Sequence, residues 1–105
     1  MTQIELYQRI KDRLLALYGS RFRGLVLYGS MARGDADEDS DIDLLCLLEG
    51  PVNPIREISP IVDAVSDLQQ EYFDHVISIK AVDVAQYERG AFPLVIEAKK
   101  EGVLV

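Results

Sequence analysis

The chain has a single cysteine, a single histidine and too few basic side chains to balance its acids. Cys46 has no partner for an internal disulfide, and its place in the apolar run LLCLL is that of a small core residue. His75 has no second histidine or cysteine to join it as a metal ligand and reads as structural. Eleven Lys and Arg against eighteen Asp and Glu leave a net charge of −7. That balance disfavours direct nucleic-acid binding and suits a partner with a basic face, or a metal. No apolar stretch approaches the length of a membrane span. The opening MTQIELYQRI is charged and amphipathic from the start, unlike a signal peptide. No membrane association and a cytoplasmic location are expected. Internal repeats, low-complexity tracts and linkers are missing too.

What is present is 105 residues, 49% of them apolar, which predicts one domain over residues 1–105 with a core of modest reserve. Thr2 with Glu5 reads as a capping box. Tyr7, Ile10, Leu14 and Leu17 follow at helical spacing, with Gly19 as the stop. RGLVLYG (23–29) predicts a strand, and Ser30 to Gly34 one or two helical turns. DIDLLCLLEG (41–50) begins polar and becomes continuously apolar, as in a strand covered on both faces. Asn53-Pro54 predicts a turn over 53–58, and Ser59-Pro60 a helix from Ser59 that buries Ile61, Val62, Val65, Leu68 and Tyr72. HVISIKAV (75–82) predicts a third strand. Short helices then end at Gly90 and Gly102, and the final VLV is a possible edge strand. The fold class expected is α/β (α+β): a small mixed sheet flanked by helices.

The chemistry is concentrated in LVLYGSMARGDADEDSDIDLL (25–45). Alternate residues of a strand point the same way, roughly 6.5 Å apart. Asp41 and Asp43 therefore project together while Ile42 and Leu44 turn into the core. Two carboxylates so placed repel each other, and can reach one divalent ion; Mg²⁺ is commonly held by one or two carboxylates together with phosphate oxygens and water. Gly29 lets a phosphate approach the backbone. Ser30 offers a hydroxyl, and a helix starting there would turn the Ser30, Met31 and Ala32 amides outward. Arg33 can add a charge-assisted fork to phosphate. A lone Gly-Ser is usually a turn, and a lone Asp-x-Asp is usually a strand end. Together, ten residues apart between two predicted strands, they fit metal-dependent phosphoryl transfer. The acidic run Asp35, Asp37, Glu38 and Asp39 reads as a solvated loop, and Tyr28 as a packing residue.

GSMARGDADEDSDIDLL resembles the signature of the DNA polymerase β-like nucleotidyltransferases: Gly-Ser, ten residues, Asp-x-Asp. The resemblance covers nearly the whole chain and is nearest to the minimal nucleotidyltransferases, with a polymerase palm-like fold. Such domains are commonly the antitoxin of a HEPN/MNT toxin–antitoxin pair. The resemblance implies transfer of AMP from ATP to a tyrosine of a HEPN ribonuclease toxin. It places the triphosphate on Gly29 and Ser30, and Mg²⁺ on Asp41 and Asp43.

The superfamily usually adds a third carboxylate from a later strand. Here the corresponding stretch reads Ile77-Ser78-Ile79, so Ser78 occupies the expected position. Asp74 shares its parity but lies four residues away, and could serve only in a shifted register; Asp83 has the opposite parity and is expected to open the next helix. Lys80 shares the face of Ser78, where a lysine more often snorkels to water than binds phosphate. Three functions therefore stay open: a protein adenylyltransferase, a domain of the same fold that neutralises its toxin by contact alone, and a nucleotidyltransferase acting on a small molecule such as an antibiotic.

Overall fold

In a computed structural model, residues 2–36 and 40–105 are described. Helix α1 spans Gln3–Tyr18, with the Thr2 hydroxyl accepting the Glu5 N–H at 3.1 Å. Strand β1 (Phe22–Tyr28) leads into a single helical turn, α2 (Ser30–Arg33), and β2 covers Ile42–Leu48. Helix α3 (Ile58–Glu71), strand β3 (Ile77–Asp83), helices α4 (Val84–Arg89) and α5 (Pro93–Glu101), and the short strand β4 (Val103–Leu104) complete the order.

Among the described residues the strands form one sheet in the order β3-β2-β1-β4. β1 runs antiparallel to β2 and β4, whereas β2 and β3 are parallel. The crossover that a parallel pair requires is supplied by α3. Strand β2, in the middle, is apolar on both faces because both are covered. Its Ile42, Leu44, Cys46 and Leu48 pack with α1 and α3, while Leu45 and Leu47 meet Val95 and Ala98 of α5. The mixed sheet flanked by helices is as expected.

Several boundaries differ from the sequence reading, each for a local reason. The last turn of α1 packs Tyr18, four residues after Leu14, and leaves Leu17 exposed. Helix α3 begins at Ile58, so Ser59 and Pro60 lie inside its first turn rather than at its cap. Proline is tolerated there because first-turn N–H groups have no acceptor within the helix. Ile61, Val65 and Leu68 form the buried stripe, from which Val62 is rotated away into solvent. β2 begins at Ile42, just after Asp41, and β3 begins at Ile77 rather than His75. Of the acidic run, Asp35 is exposed and Asp37, Glu38 and Asp39 lie outside the described residues.

Candidate active site

Strand β1 ends at Tyr28, and the register sets Tyr28 opposite Asp43 of β2. The chain must then leave the sheet at once, and Gly29 makes that turn with φ 75° and ψ −156°. Side chains other than hydrogen essentially never occupy this combination. A Cβ built on Gly29 would also lie 2.7 Å from Oδ2 of Asp43. The glycine is thus required twice, by its own dihedrals and by the carboxylate standing against it.

Helix α2 starts at once at Ser30. Its Ala32 and Arg33 N–H groups both donate to the Gly29 carbonyl at 3.1 Å. The expectation of three outward amides is corrected by this bond, since the Ala32 N–H is used inside the turn. Ser30 and Met31, as the first two helical residues, have no carbonyl within the helix to bond.

Arg33 is placed beside this turn but occupied. Its Nε donates to Asp35 at 3.1 Å, and its Nη1 donates to Glu101, the last residue of α5, at 3.0 Å. Glu101 was not foreseen, because nothing in the local sequence links it to a residue 68 positions away. The one available signal was general: an arginine in an acidic chain has counter-ions to choose from.

Asp43 is half-buried on the strand, and Asp41 is exposed just before it. Burial pushes the Asp43 carboxyl above the ordinary carboxylate range, and the negative charge of Asp41 adds to the shift. Lys80, on the same face of β3, partly offsets it. The expected repulsion between the two aspartates is therefore present, but it ranks behind desolvation as a cause. Tyr28 feels the same neighbourhood: burial first, then the Asp43 charge, raise its hydroxyl above the usual value.

The register sets Ser78 directly opposite Asp43 across the parallel pair. Asp74 is left exposed in the turn before β3, four residues short of that position, so the structure does not bring it to Asp43. Asp83 caps α4 by accepting the Ala85 N–H at 2.8 Å. His75 is structural, its Nδ1 lying 2.9 Å from the Ser40 carbonyl. Among the described residues no three His, Cys, Asp or Glu side chains gather closely enough to hold a metal ion. The Asp41–Asp43 pair nevertheless suits a hard cation such as Mg²⁺: both donors are carboxylate oxygens, and, beside burial, the charge of Asp41 raises the Asp43 carboxyl.

The nucleotidyltransferase domain family matches residues 5–105, nearly the full chain. The chain belongs to that family. This nucleotidyltransferase is 31% identical over 72 residues to a putative protein adenylyltransferase of Methanocaldococcus jannaschii, covering 69% of this chain and 72% of the relative. Among solved structures it resembles a putative nucleotidyltransferase from Sulfolobus solfataricus, with a TM-score of 0.52 and 23% identity over 97% of this chain and 80% of the other. It also resembles a chain from a toxin–antitoxin structure with AMP-PNP, with a TM-score of 0.55 and 15% identity over 90% of this chain and 70% of the other. At these identities the solved structures speak to the fold. No helix among the described residues is long and apolar enough to cross a membrane.

Proposed function

We propose that this nucleotidyltransferase is an antitoxin that transfers AMP from ATP to a tyrosine of a cognate HEPN ribonuclease toxin in the cytoplasm. The observation that carries the reading is the carboxylate of Asp43 standing against Gly29. It puts the candidate metal ligand and the candidate phosphate turn at one point, where an ATP phosphate on the Gly29-Ser30 backbone would also meet the cation. Asp41 and Asp43 would hold Mg²⁺, which when bound supplies charge neutralisation at the phosphates. The Ser30 hydroxyl and the free N–H groups at the start of α2 would bind phosphate oxygens, with Arg33 exchanging a carboxylate partner for phosphate. The tyrosine oxygen would attack the α-phosphorus of ATP, forming a phosphodiester and releasing pyrophosphate. Its proton would pass to solvent or to a nearby carboxylate. A relative named a putative protein adenylyltransferase and a toxin–antitoxin neighbour that contains AMP-PNP both support this reading.

A second reading is favoured by one specific observation. Ser78, not an acid, faces Asp43, so the fold could neutralise a toxin through contact while transferring nothing. Intact mass of a co-expressed candidate toxin separates the two. The first reading requires one or more added AMP units with the wild type and none with Asp41→Asn/Asp43→Asn. A stable complex of unchanged mass would establish the second.

A further inference from the structure

We propose that the outer edge of β3 at Ile79–Ala81 docks an extended, apolar segment of a partner protein, which joins the sheet beside β3. Among the described residues β3 is an edge strand. The Val76 carbonyl accepts the Ile42 N–H at 2.9 Å, so the even-numbered positions that follow face β2. Ile77, Ile79, Ala81 and Asp83 therefore turn their backbone groups outward.

Both ends of this edge are already closed by side chains. Gln69 accepts the Ile77 N–H through Oε1 and donates through Nε2 to the His75 carbonyl, each at 2.7 Å. At the other end Asp83 turns the chain into α4. Between them the N–H and C=O groups of Ile79 and Ala81 are left as a short template for pairing.

That template lies at the floor of a cleft of about 220 Å³. One wall is Pro54, Ile55 and Ile58, at the approach to and start of α3, and the other is Phe92 and Leu94, at the start of α5. Alternate side chains of an added strand would meet the two walls in turn. Ala81 is 2% exposed on the floor, whereas Ile55 on the wall is 80% exposed. A second copy would bring a further net charge of −7 against this one. The volume is below that of ordinary small-molecule sites, and the lining lacks their convergent polar groups.

The charge points to the same occupant. In a chain of net charge −7 none of the described acids lines this cleft, and Lys80 is the sole charged residue among the described ones that does. An acidic side chain on the docked segment would meet it. Ser78, opposite Asp43, directly precedes Ile79 on the same strand, so a docked segment would run toward the candidate active site. The proposal stands whether or not AMP is transferred.

Selection of short random linear peptides displayed on phage, followed by amide NMR with the enriched sequences, tests it. The expected peptides alternate apolar residues and carry an acid, and on binding they slow hydrogen exchange at Ile79 and Ala81. Ile55→Glu, at an exposed position, weakens them by about tenfold or more, and Ala81→Pro does likewise. No enriched sequence, or enriched peptides that bind Ile55→Glu as well as wild type, would overturn the proposal. So would concentration-dependent protection of the same amides without peptide, which would assign the edge to a second copy.

Discussion

Asp43 stands so close to Gly29 that a methyl group on the glycine would lie 2.7 Å from the aspartate Oδ2. The end of β1 and the start of β2 thereby come together at the point where phosphate and cation would meet.

Replacing Gly29 with alanine should therefore cost about 1–3 kcal/mol of stability from its dihedral angles alone. Removing the Asp43 side chain as well should restore only the part due to the close approach. Denaturant unfolding of the single and double variants measures both, and Gly29→Ala should also abolish ATP binding.

The raised carboxyl of Asp43 has an opposite consequence for stability. Burial and Asp41 make the folded chain hold this proton more tightly than the unfolded chain does. Stability therefore falls as pH rises from the ordinary carboxylate range through the raised value, and the loss persists above it. Without metal, Asp43→Asn should melt higher than wild type at pH 7, and the gap should close as the solution is acidified below that range. Mg²⁺ should raise the melting temperature of the wild type and leave Asp41→Asn/Asp43→Asn unmoved.

Arg13 and Asp67 join α1 to α3 through two parallel contacts of 2.7 and 2.8 Å. The Arg13 guanidinium holds the Asp67 carboxyl down to about 2. A depressed carboxylate contributes stability above its unfolded value, which is lost as pH falls through the folded one. Asp67→Asn should destabilise modestly at pH 7, because the pair is solvent-exposed. Thermal melts from pH 7 to pH 2 should show that difference shrinking from about pH 4 downward.

Glu101 competes with phosphate for Arg33 in the proposed site. Glu101→Gln should tighten ATP binding severalfold and Arg33→Ala should weaken it, both by calorimetric titration. Equal affinities in all three proteins would make Arg33 a strut between α2 and α5 rather than a nucleotide ligand.

Much of the fold was legible because each strand and helix carries its own period. Tyr7, Ile10 and Leu14 mark a helix face, and the unbroken IDLLCLL marks a strand covered on both sides. What local patterns could not supply was register. That Ser78 sits across from Asp43, and that Glu101 reaches Arg33, are decided by how distant elements pack. The Ala32 amide was misread for a related reason: a helix of four residues spends its few N–H groups on its own first carbonyl. The open edge of β3 was likewise hidden, since a strand's sequence does not say whether a neighbour lies on its outer side.

Calorimetric titration with AMP-PNP, with and without Mg²⁺, tests the central claim most directly. The account predicts saturable binding that requires Mg²⁺ and is lost in Asp41→Asn/Asp43→Asn. Binding that is indifferent to the metal and equal in the two proteins would contradict it.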